Sequence, residues 1–143
     1  MRFMLIIKGN KDTEAGIMPS EADLTAMGNF NEEMVTAGIM KAMDGLHPSR
    51  RGARVKFKGS RSTVVDGPFA EAKELIAGFW IIDVPSMADA VAWARRVPGP
   101  EGNEREIEVR QIFDAEDFGA EFTPELRAQE DRLLAEVEWS SRP

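Results

Sequence analysis

The sequence predicts an α+β domain on the split βαβ, ferredoxin-like plan, with an inserted β-hairpin and a further helix at the C-terminal end. Three observations predict it. Two continuous apolar runs, Phe3–Ile7 and Phe79–Val84, read as strands buried on both faces. Each is followed by a Ser-x-x-Asp helix start, at Ser20–Asp23 and at Ser86–Asp89. Between these halves Arg54–Lys58 alternates strictly, and a Gly59-Ser60 turn leads into Ser62–Val65 as a hairpin.

The remaining elements follow in order. The first helix runs from Ser20 to about Ala37, with Leu24, Met27, Phe30 and Met34 at helical spacing, and Gly38 ends it. Ile39–Leu46 is the second strand, and His47–Gly52 is a loop. After the hairpin, Asp66-Gly67-Pro68 makes a polar elbow, and Ala70–Leu75 is a short helical turn. The second long helix ends near Arg96, before the Val97–Pro100 loop, and Glu104–Ile112 is the last strand. Residues 114–122 are irregular. Thr123-Pro124 then places a capping residue before proline at the first helical position. Leu126, Leu133, Leu134 and Val137 stripe that helix, and Trp139 extends the stripe.

A sheet of this plan covers one face with its two helices. Apolar residues on both faces of its central strands therefore call for a second cover. A second copy packed sheet to sheet supplies one and makes a closed homodimer. The cleft left beside the sheet is the natural small-molecule pocket.

Composition narrows the function classes. A chain of 143 residues with net charge −7 is one domain's worth of sequence and a poor nucleic-acid coat. Residues 47–62 nevertheless carry Arg50, Arg51, Arg54, Lys56, Lys58 and Arg61 with no acid, either as solvated faces or as an anion-binding or intersubunit surface. Nothing approaches the ~20 apolar residues of a membrane span. The first residues read as a strand rather than a signal peptide, so a cytoplasmic location is expected. With no cysteine there is no thiolate nucleophile or disulfide, and no metal or cofactor motif is present.

The segments Met1–Ile6, Gly45–Pro48, Asp66–Glu74 and Gly78–Val84 together resemble the DGPF group of YCII-related proteins. The resemblance spans residues 1–113 and leaves 114–143 as a helical extension, which either clamps a neighbouring subunit or covers the barrel. It implies a dimeric α/β barrel and a family whose members are mostly uncharacterised. It also implies a link to extracytoplasmic-function sigma factors, whose genes often neighbour those of this group. A related branch has a proposed His–Asp pair with its histidine in the first helix. Here Met27 or its neighbours occupy that place.

Candidate site residues cluster around the elbow. Asp66 is either a general base at a strand end or the cap of its own turn. His47, the one histidine, is the natural proton carrier near neutral pH and a possible partner for Asp66. Phe69 and Trp80 either line a ligand cavity or pack the core. Lys73, Glu74 and Arg54 either bind substrate or form surface pairs. The expected function is acid–base chemistry of a hydrolase or isomerase kind on a small molecule. The alternative is a binding or regulatory protein working with a sigma factor.

Overall fold

The structure, a computed structural model, describes residues 1–100, 102 and 104–140. The chain divides into two compact units, Met1–Ile112 and Phe113–Pro143. The first contains β1 (Arg2–Lys8), α1 (Lys11–Ala15), α2 (Glu21–Thr36), β2 (Met40–Gly45), β3 (Ala53–Lys58), β4 (Arg61–Asp66), β5 (Ile76–Asp83), α3 (Met87–Ala94) and β6 (Ile107–Gln111). Its main sheet is antiparallel in the order β2-β5-β1-β6, the ferredoxin-like order, and β3 pairs only with β4.

Local chemistry accounts for the helices. Ser20 caps α2 by accepting the Asp23 amide at 3.1 Å, and Ser86 caps α3 by accepting that of Asp89 at 3.2 Å. After α2 the chain turns at Gly38, whose φ of 75° suits a residue without Cβ. The Ile39 amide then returns to the Met34 carbonyl at 3.1 Å. α1 is a correction to the expected direct run from β1 to α2. Asn10 and Thr13 form a reciprocal capping box that starts it, with Asn10 Oδ1 2.9 Å from the Thr13 amide. The expected helical turn at Ala70–Leu75 is a single 3-10 turn over Ala72–Glu74. The last strand begins at Ile107 rather than Glu104.

Strand register sorts the faces. Phe3 pairs with Ile82 and Leu5 with Trp80, and these four side chains join Phe30, Met34 and Ala90 in the core beneath α2 and α3. Met4 pairs with Ile81 and Ile6 with Phe79 on the face turned away from those helices. There Ile6 is buried, while Met4, Phe79 and Ile81 are half-buried. Arg96 and Glu33 form an ion pair that links the end of α3 to α2.

In the second unit, a 3-10 turn at Ala115–Asp117 precedes α4 (Pro124–Ser140). Phe118 stacks between Phe113 and Phe122, at centroid distances of 5.1 and 5.3 Å. Arg127 lies over Phe122 and donates to the Ala115 carbonyl at 3.2 Å. Leu126, Leu133, Leu134 and Val137 of the expected stripe are all exposed. Trp139 lies outside the residues whose side chains are described.

Candidate functional site

Two constructions, one polar and one largely apolar, occupy the end of the sheet where β1 and β2 finish and β5 begins. The first is a junction built on Ser49, in a 3-10 turn over Ser49–Arg51. The Ser49 amide donates to Glu14 Oε1 at 3.0 Å and its hydroxyl to Glu14 Oε2 at 2.5 Å. The same hydroxyl oxygen accepts the Phe69 amide at 3.0 Å. Arg50 adds a bond from its guanidinium to the Glu14 carbonyl at 3.2 Å. One serine therefore ties α1, the His47 loop and the elbow together. Charge-assisted bonds of this length are among the stronger ones a protein makes.

The elbow is seated by contact as well as by hydrogen bonds. The Gly67 amide donates to the Gly52 carbonyl at 2.9 Å, and a Cβ at Gly67 would run into the Ser49 carbonyl. The Gly67–Pro68 peptide is cis. Asp66 ends β4 opposite Ala53 and is exposed. Its carboxylate engages no partner among the described residues. His47 is exposed and lies against Arg51, whose Nη1 is 3.3 Å from Nδ1 and 3.1 Å from Nε2. Phe69 is half-buried under the Arg54 guanidinium, 3.9 Å above the ring centroid. Lys73 and Glu74 are exposed on the 3-10 turn that follows. Trp80 stands apart in the core at 3% exposure. It meets Phe30 edge-on and donates from Nε1 to Asn31 Oδ1 at 2.8 Å.

The Ser49 bonds hold the Glu14 carboxyl below its ordinary range, the hydroxyl contributing most and the amide next, with the Arg50 charge assisting. A depressed folded value means this contribution is complete above the ordinary glutamate range, about pH 4–5. It is lost as pH falls through the folded value. Ser49→Ala is therefore expected to move the acid limb of unfolding to higher pH and leave the alkaline limb unchanged. Urea midpoints recorded across pH 3–8 check this.

The second construction is a cavity of about 520 Å³ on the helix-covered side of the sheet. Ile7, Met27, Ala77, Val97 and Ile107 give it an apolar lining, and Lys8, Asp12, Asp23, Arg105 and Glu106 are its charged residues. Arg105 bonds the Val97 and Pro98 carbonyls at 3.1 and 3.0 Å, fixing the Val97–Pro100 wall. None of Asp66, His47, Phe69, Lys73, Glu74, Trp80 or Arg54 lines this cavity.

Glu14, Ser49 and the cavity residues were not found by sequence reasoning. The Asn10-x-x-Thr13 box was the available signal for α1, and with it for Asp12 and Glu14. Nothing in spacing alone links Glu14, Ser49 and Phe69. Among the described residues no group of three His, Asp or Glu could hold a metal ion, and no helix is long and apolar enough to cross a membrane.

The first unit is thus an α+β domain of ferredoxin-like strand order with a ligand-sized cavity between sheet and helices. Comparison with known proteins places it more narrowly. The YCII-related domain matches residues 1–116, and the chain belongs to that family. An uncharacterized protein of Rhizobium meliloti (strain 1021) is 32% identical over 90 residues, covering 63% of this chain and 70% of the relative.

Proposed function

We propose that this protein is a homodimeric, DGPF-type small-molecule protein whose ligand occupies the cavity between the sheet and the starts of α1 and α2. The cavity carries the reading. Its volume of about 520 Å³ falls within the ~300–1,000 Å³ of small-molecule sites, and its lining combines an apolar floor with few charged groups. Met27, at or beside the place where a related branch has its helix histidine, lines it. Any acid–base step within the cavity falls to Asp12, Asp23 or Glu106, the carboxylates of its lining.

A second reading keeps the chemistry at the elbow, with Asp66 as base and His47 as its partner. It is favoured by the unengaged Asp66 carboxylate and by the bonds joining the His47 loop to the elbow. Phe69, Lys73, Glu74 and Arg54 then surround the ligand. One set of variants separates the two. Met27→Trp, which fills the cavity, is expected to abolish the stabilisation given by compounds that raise the melting temperature of the wild type. Asp66→Ala and His47→Ala are expected to retain it. The opposite pattern moves the site to the elbow. Binding without turnover marks a regulatory role, for which co-purification with a sigma factor is the test.

The dimer is supported by the apolar stripe of Met4, Phe79 and Ile81 on the sheet face turned from α2 and α3. Ile81→Arg places a charge in that stripe and is expected to yield a folded monomer in sedimentation equilibrium. A dimer of unchanged affinity removes this interface.

A further inference from the structure

We infer that the cavity selects cationic amphiphiles, molecules with an apolar body and an amine at one end. This rests on the cavity being the ligand site. The apolar floor sets the body of the ligand, and the charged side chains left unengaged set its head group.

Of the two cations in the lining, one is paired with a carboxylate and the other is held on backbone carbonyls. Lys8 borders it, but its ammonium lies 3.9 Å from Glu108, which is not a cavity residue. Strand alternation explains this. Ile7 and Ile107 pair on the helix-covered face, so Lys8 and Glu108 project to the other. The Arg105 guanidinium is held on the Val97 and Pro98 carbonyls. The lining carboxylates of Asp12, Asp23 and Glu106 make no ion pair among the described residues. Asp23 is half-buried, and its amide is bonded to Ser20, which fixes its backbone at the start of α2. An ammonium group entering above Ile7 and Met27 meets three unpaired carboxylates, Asp12, Asp23 and Glu106, against the single unneutralised charge of Arg105. A carboxylate head group meets net repulsion, because the three lining carboxylates outnumber Arg105.

The test uses three probes of one chain length, octylamine, octan-1-ol and octanoate, titrated against the full chain and followed by amide shifts of Thr13, Asp23 and Ile107. Octylamine is expected to bind about tenfold more tightly than octanoate at low ionic strength, a difference of about 1.4 kcal/mol. The gap should narrow with added salt. Asp12→Asn, Asp23→Asn and Glu106→Gln combined are expected to erase the preference while all three probes still bind. Met27→Trp should weaken all three together. Equal or tighter binding of octanoate overturns the inference and leaves the cavity as the site, as does a preference that survives the triple substitution. If none of the probes binds, the cavity reading fails and the inference with it.

Discussion

Gly67→Ala is expected to lower the stability of the first unit by about 3 kcal/mol, a large share of the ~5–15 kcal/mol that holds a domain together. The reason is the absence of space. The added methyl would occupy the position of the Ser49 carbonyl oxygen, with the Ser49 carbonyl carbon only 2.6 Å away and the Arg50 amide nitrogen 3.2 Å away. All of these are backbone atoms, so no side-chain rotation relieves the overlap. The elbow must lift, and lifting breaks the Gly67–Gly52 bond and the bond from the Phe69 amide to Ser49. Two readouts follow. The urea midpoint falls with an unchanged slope, and the Phe69 amide loses its protection from hydrogen exchange. A variant as stable as the wild type, with that amide still protected, would show that the elbow is not seated on the Ser49 turn.

Asp66–Glu74 was readable as a polar elbow because Asp-Gly-Pro has strong turn chemistry and because a strand follows it. Its partners were not readable. Glu14 and Ser49 are a carboxylate and a hydroxyl of common type, separated by 35 residues, and only the tertiary fold brings them together. The strands were legible for the opposite reason. Phe3–Ile7 is apolar throughout and Phe79–Val84 is broken only by Asp83, and such runs specify burial whatever their partners are. The cap-and-glycine pairs around α2 were likewise local signals, whereas α1 escaped notice because five residues carry too little periodicity. The cavity was invisible for a third reason. It is lined by residues from β1, the α1–α2 region, β5, α3's exit loop and β6, and no motif joins these separate segments.

Trp80 provides the other large expected effect, and it separates the two uses open to an aromatic residue in this strand. Its side chain is 3% exposed, lies edge-on to Phe30 with ring centroids 5.6 Å apart, and donates its indole N–H to Asn31. Trp80→Ala would open a void between β5 and α2, and is expected to cost about 3–5 kcal/mol. Trp80→Phe keeps most of the volume but leaves Asn31 Oδ1 without its donor, and should cost about 1–3 kcal/mol. A core role requires that the Trp80→Phe variant, still folded at low temperature, bind cavity ligands with affinity close to the wild type's, because Trp80 does not line the cavity. A stacking role requires the reverse, an affinity loss larger than the stability loss. Parallel urea titrations and ligand titrations of the two variants decide between these outcomes, since a core residue moves the first measurement and a ligand contact the second.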